Sequence, residues 1–409
     1  MWYIWVVDTR IEFIASGTVT SPRGFYAGAT YAGIKKKTDG VLDLAILFSE
    51  VPCTAAALFT SNRIKAAPIV LCQQRLKTGR AVALVVNSGC ANAFTGEAGL
   101  ADAAEMADLA ARGIGVSAED VLVASTGVTG QRLPLELIRA GIGQIALSAD
   151  GGHDLAKAIM TTDTVPKEVA VSTGDNEFII GGVAKGSGMI HPDLATLLCF
   201  LTSDVRVDTD FLKASLRKSV DVSFNMVSID GDTSPNDMVL IMANGLAGNE
   251  PIKANSEQAE VFQRALDQVC IYLAKGIAGD GEGATKLIEV TVSGAVSLDE
   301  ARRAARTVVS SPLVKAAIHG NDPNWGRIIA AVGRSGVEVV ESKIDLYLRD
   351  ICLAKAGSPS PFDRKAAVEL LKKDEVSIGV NLNLGTASAT AWGCDLSEEY
   401  VTINSKYTT

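Results

Sequence analysis

Apolar runs bounded by Gly, Pro, Asn or Asp recur along the whole chain, at 43–48, 68–73, 81–87, 121–125, 168–172, 196–202, 224–229, 238–243, 287–293, 343–349 and 376–383. Each is short and punctuated, which predicts strands. Helical periodicity fills the intervals. The clearest case is 256–275, where Ala259, Phe262, Leu266, Val269, Cys270 and Leu273 recur in steps of three and four and so share one face. Asn255 is the expected cap, with Gln258 three residues on. Further helices are expected at 98–112, 134–146, 207–218, 299–307 and 363–373. This alternation predicts an α/β (α+β layered) fold with helices packed on central sheets and a smaller second domain.

Size fits that picture. At 409 residues the chain is too long for one ordinary core. The longest apolar runs, such as AVALVV at 81–86, fall far short of a membrane span. The opening MWYIWVVDTRIEF lacks a basic leader and reaches Asp8 and Arg10 too early for a secretion signal. A cytoplasmic protein with no membrane partner is expected. Net charge is −9, and the one basic cluster is Lys35–Lys36–Lys37, which reads as a solvated turn. Nucleic acid is therefore not an expected partner.

Seven cysteines are present, an odd count without a CxxC pair, and most sit in apolar runs as reduced small hydrophobes. The three histidines, His153, His191 and His319, show no metal-ligand spacing. They leave few bases for a Ser–His or Cys–His nucleophile. GDGEGATK at 279–286 lacks the order of a phosphate loop, because Lys286 follows Thr285 and no Ser or Thr follows it. IDGDTSPND at 229–237 is carboxylate-rich but reads as an array of Asx and Ser/Thr turns. NDPNWGR at 321–327 reads as a turn opening a helix.

The stretch 182–203, GVAKGSGMIHPDLATLLCFLTS, runs a Gly-rich, Pro-containing turn into a strand beginning at Thr196. By local pattern alone Thr196 is an ordinary strand-opening threonine. A threonine hydroxyl needs a base, and a threonine at a chain terminus can use its own α-amine. An internal residue gains that amine only if the bond between Ala195 and Thr196 breaks.

KGSGMIHPDLATLLCFLTSD at 185–204 resembles the processing site of the ornithine acetyltransferase family, also called the bifunctional glutamate N-acetyltransferase family. VNSGCANAFTG (87–97), VLVASTGVTG (121–130), AIMTTDTVPK (158–167), FNMVSIDGDTSPND (224–237), AGDGEGATK (278–286), HGNDPNWGRI (319–328) and CDLSEEYVTINSKYTT (394–409) match in order, so the resemblance covers about residues 17–409. It implies a self-processing aminopeptidase/ornithine acetyltransferase-like fold, cut into an α chain (1–195) and a β chain (196–409). Thr196 would be the nucleophile, with Thr126 and Gly127 as the oxyanion hole. Thr162, Lys185, Thr196, Glu282, Asn404 and Thr409 would contact substrate, Lys185 suiting a carboxylate and Glu282 an ammonium. The implied reaction moves acetyl from N2-acetylornithine to glutamate through an acetyl-Thr intermediate, in arginine biosynthesis. No metal or organic cofactor is expected; acetyl-CoA would be a second donor, and the implied assembly is a dimer of cleaved αβ pairs. A related self-processing aminopeptidase or amidase is the alternative. Asp193 and Leu194 stand where the family carries Asn and Met, and Cys90 and Phe94 also depart from its pattern.

Overall fold

The computed structural model describes residues 11–35, 40–174, 177–191 and 197–406. Ala195, Thr196 and Thr409, all expected at the site, lie outside the described residues. In chain order the strands are β1 (Ile11–Phe13), β2 (Phe25–Thr30), β3 (Leu44–Phe59), β4 (Arg80–Cys90), β5 (Val121–Val128), β6 (Lys167–Thr173), β7 (Phe178–Lys185), β8 (Leu198–Ser203), β9 (Val227–Ser228), β10 (Met238–Ala243), β11 (Leu287–Ala295), β12 (Asp345–Leu348), β13 (Ile351–Lys355), β14 (Ser358–Pro359), β15 (Glu375–Asn381) and β16 (Ala387–Cys394). The helices are α1 (Ala67–Arg75), α2 (Gly96–Ile114), α3 (Leu135–Ile142), α4 (Gly152–Ala158), α5 (Thr209–Val222), α6 (Glu257–Gly279), α7 (Leu298–Val309), α8 (Pro312–His319), α9 (Trp325–Gly333), α10 (Arg364–Leu371) and α11 (Glu398–Lys406).

Two sheets organise these elements. The first runs β1-β6-β7-β8-β10-β3-β4-β5, with β2 also on β3; the second runs β14-β13-β12-β15-β11-β16-β9. The expected α/β layering with a smaller second unit is what the chain forms. Helix α6 packs against β6 and β7 of the first sheet and against β16 and β11 of the second. Strand β8 is central and buried on both faces. Leu198 and Phe200 join the core on the side of α1 and α2, while Cys199 and Leu201 join the core shared with α5 and α6. That period of two is why β8 reads as a continuous apolar run rather than an alternating one.

Several expectations need correction. The run 68–73 is not a strand but lies in α1: Pro68 falls in the first turn, where a missing N–H costs nothing, and a six-residue apolar run has no period that separates helix from strand. The segment 224–229 is mostly a 3₁₀ turn, Phe224–Met226, followed by the two residues of β9. The helix expected at 134–146 stops at Ile142, with Gly143 closing it. The cap of α6 is Ser256, whose hydroxyl accepts from the Ala259 N–H, while Asn255 takes a left-handed φ of 68° just before it. Strand β3 continues through Pro52 to Phe59. Its pairing with β4 shifts register between Phe48 and Cys53, so Pro52 sits in an irregularity where no ladder bond is lost.

Candidate active site

Strands β5 and β7 end beside the point where β8 begins, and the loops after them enclose a small cleft. Its lining includes Thr126, Gly127, Thr162, Lys185, Asn236, Glu282 and Asn404. Every described residue expected at the site therefore meets in one place, although they are spread over nearly three hundred positions of sequence. Thr126 and Gly127 form the end of β5. Gly127 has a φ of 124°, and a Cβ there would overlap the Gly89 carbonyl carbon on β4, so only glycine fits. The Asn236 amide locks this end in place, donating to the carbonyls of Ala91 (2.7 Å) and Ser125 (2.8 Å).

Lys185 ends β7 and is buried, with its Nζ donating to Thr126 Oγ1 at 3.4 Å. Because that oxygen accepts from Lys185, the Thr126 hydroxyl keeps its own proton free to donate elsewhere. Burial lowers the Lys185 pKa from its ordinary value, while Asp163, Asp237 and Glu282 pull the other way. Asp163 is the counter-charge that makes the site tolerable. Its Oδ1 accepts from Lys167 Nζ (2.7 Å) and from the Gly186 N–H (2.7 Å), and Lys167 reaches on to Asp280 Oδ2 (2.6 Å).

Burial opposes ionisation of Asp163, but Lys185, Lys167 and the hydrogen bonds outweigh it and hold the carboxyl at about 2. A depressed carboxylate stabilises the fold above the pKa of the unfolded chain and loses that contribution as pH falls through the folded value. The drop from 3.8 to about 2 corresponds to roughly 2 kcal/mol, lost between about pH 4 and pH 2. Asp163→Asn should lower neutral stability by about 2–4 kcal/mol, because Lys167 and Lys185 lose a buried partner. It should also flatten the acid limb. Urea unfolding at pH 7 and pH 3 checks both; an unchanged acid limb would count against this assignment.

The remaining groups come from loops. Thr162 Oγ1 shares a hydrogen bond with Ser187 Oγ (2.7 Å), and the Glu282 N–H donates to the Ser187 carbonyl (2.7 Å). A Cβ on Gly188 would lie 2.5 Å from the Glu282 carboxyl carbon, so this glycine clears the space for that carboxylate. Asn404 Nδ2 donates to Glu282 Oε2 (2.7 Å) from α11. That helix buries none of its residues and docks through polar contacts, including Tyr400 on Asp230. Helix α11 thus reaches the cleft through Asn404. Asn236, Asp163, Lys167, Ser187 and Asp280 were not singled out as site residues from sequence; they lie inside the quoted segments 158–167, 185–204, 224–237 and 278–286.

The competing motifs resolve into structure. Lys286 spends its ammonium on the Ile318 carbonyl and Asn321 Oδ1, both at 2.7 Å, so it serves no phosphate loop. Asp230 accepts from the N–H groups of Met189, Ile190 and Asp232, as expected of a turn array. NDPNWGR opens α9 at Trp325. Among the described residues no His, Cys, Asp and Glu group is placed to hold a metal ion. His153 faces Glu168, His319 faces Asp395 and His191 faces Ser228, and none lines the cleft.

The sequence matches the ArgJ family over residues 26–409. The chain belongs to the ArgJ family. Its relatives include the arginine biosynthesis bifunctional protein ArgJ of Dehalococcoides mccartyi, 51% identical over 98% of this chain and 100% of that protein. The protein of the same name from Symbiobacterium thermophilum is 52% identical over 98% of this chain and 100% of its own length. A crystal structure of ornithine acetyltransferase from Mycobacterium tuberculosis complexed with ornithine shares 44% identity, covering 44% of this chain and 98% of that chain, with a TM-score of 0.42. Membership in this family makes this chain an enzyme. Among its described residues no helix is long and apolar enough to cross a membrane.

Proposed function

We propose that this ArgJ-family chain is a self-cleaving acetyltransferase of arginine biosynthesis that moves acetyl from N2-acetylornithine to glutamate. The observation that carries this reading is the convergence of Thr126, Gly127, Lys185, Thr162, Glu282 and Asn404 on one cleft beside Leu197, the residue next to Thr196. In the first step the Thr196 hydroxyl attacks the Ala195 carbonyl, the amide becomes an ester, and water hydrolyses it. The products are a carboxylate at Ala195 and a free α-amine at Thr196, dividing the chain into 1–195 and 196–409. Strand β8 of the second fragment pairs with β7 of the first, and β10 pairs with β3, so one sheet would hold the cut fragments together.

In the second step Thr196 attacks the acetyl carbonyl of N2-acetylornithine and its amine takes the proton. The Thr126 hydroxyl and the Gly127 N–H stabilise the oxyanion. The proton passes to the departing ornithine amine, leaving acetyl-Thr. The glutamate amine then attacks that ester and leaves as N-acetylglutamate, regenerating the hydroxyl. Glu282 suits the ornithine ammonium and Lys185 the substrate carboxylate. Acetyl-CoA would be an alternative donor, no metal or organic cofactor is needed, and the working form would be a cytoplasmic dimer of cleaved pairs.

The test is ornithine release from N2-acetylornithine with and without glutamate, alongside denaturing electrophoresis and end sequencing. Expected are two bands of nearly equal size, a new Thr amino terminus, and release that depends on glutamate. Release that ignores glutamate would mean an amidase passing acetyl to water. An uncut but active chain would overturn the processing step.

A further inference from the structure

Asp237 lies directly under the start of β8. It is 1% exposed, and its Oδ1 accepts the Leu197 N–H at 3.1 Å. The next residue, Met238, donates its N–H to the Leu197 carbonyl at 3.1 Å. Leu197 is therefore gripped on both sides of its backbone by two consecutive residues, before the regular ladder of β8 on β10 begins at Leu198.

This grip is unusual in its cost. A buried carboxyl is normally fully hydrogen-bonded, yet Asp237 Oδ2 makes no well-formed hydrogen bond among the described residues. The Ser234 and Thr60 hydroxyls lie beside it. Burial pushes the carboxyl well above the usual carboxylate range, against the pull of Ser234, Lys185 and the Leu197 N–H.

We infer that Asp237 is a positioning residue for the nucleophile, holding residue 196 through Leu197 before the cut and again afterwards, when that residue is a loose chain end. The inference rests on the proposed cleavage before Thr196. Before cleavage, residue 196 is tethered by chain on both sides. Afterwards its only covalent tether runs through Leu197, and chain ends fray unless tied down. The Asp237 bond becomes the first non-covalent anchor behind the nucleophile. Misplacing a reacting group by about 1 Å costs on the order of 10²-fold in rate.

Asp237→Ala and Asp237→Asn separate the roles. For each, the rate of self-cleavage is followed by denaturing electrophoresis of freshly made chain, kcat and KM for acetyl transfer are measured on the cleaved form, and Tm is recorded. Asp237→Ala removes the acceptor and should slow cleavage and reduce kcat by about 10–100-fold, with KM changed less than about threefold. Asp237→Asn keeps an acceptor for the Leu197 N–H and should stay within about threefold of the parent in both rates and in its pH profile. Full rates in Asp237→Ala would overturn the inference. So would an Asn variant that loses more than tenfold at an unchanged Tm. If the Ala variant does not fold, the Asn variant alone decides by the same criterion. Failure of the parent chain to cut before Thr196 would instead overturn the proposed function, and end sequencing of the parent distinguishes the two.

Discussion

Thr196→Ala should give a single uncut chain of 42.7 kDa with no detectable acetyl transfer. Both proposed steps begin at the same hydroxyl, so one substitution removes both, and the loss should be on the order of 10⁴-fold or more. Thr196→Ser keeps a hydroxyl and should still cut and turn over, more slowly. The cleaved parent carries a further signature. In the proposed scheme its base is the α-amine of residue 196, with an ordinary pKa of about 7.7–8.0, and only the neutral amine can accept a proton. Activity should rise with pH through that range and level off above it. None of the three histidines lines the cleft, so a limb near pH 6.5 would point to a base outside this scheme. Normal cleavage of Thr196→Ala, shown by two bands and a new amino terminus, would refute the nucleophile.

Strongly periodic elements were legible in the sequence. The face of α6 carrying Phe262, Leu266, Val269 and Leu273 is fully buried, because it packs between two sheets. Strand β7 was not legible. Gly181 and Gly182 look like breakers, yet a Cβ on Gly182 would lie 2.7 Å from the Leu201 side chain, so the glycine serves close packing inside a strand. The candidate site residues were named through ordered motifs and not through pattern. Lys185 and Glu282 meet because β7 and the loop after α6 converge, a non-local fact that no window of sequence contains. Asp163 escaped notice for the same reason: its partners are Lys167 four residues on and Gly186 and Lys185 on the far side of a hairpin. Helix α11 has no apolar face to announce it, since it docks through Asn404 and Tyr400, with Ser397 just before it bonded to the Gly283 carbonyl.

Thr126→Val should lower kcat for transfer by about 10²–10³-fold while leaving the fold in place. Valine matches threonine in shape, so the cleft loses the hydroxyl both as a donor and as the acceptor for the Lys185 ammonium. Lys185 donates into the Thr126 oxygen and leaves its proton free, which suits the proposed role. Charge builds on the acetyl oxygen only in the transition state, so the loss should fall on kcat, with KM changed by a few-fold at most. Thr126→Ser should recover most of the rate. Gly127→Ala tests the second donor and should be harsher. At a φ of 124° an added Cβ is strained in itself, and it would also overlap the Gly89 carbonyl carbon, so the end of β5 must move. That movement shifts the Gly127 N–H and the Thr126 hydroxyl together. The expected result is a loss larger than that of Thr126→Val in both self-cleavage and transfer, measured by band ratio and by ornithine release. Near-normal turnover in Thr126→Val would remove this hydroxyl from the oxyanion hole and leave the Gly127 N–H without its proposed companion.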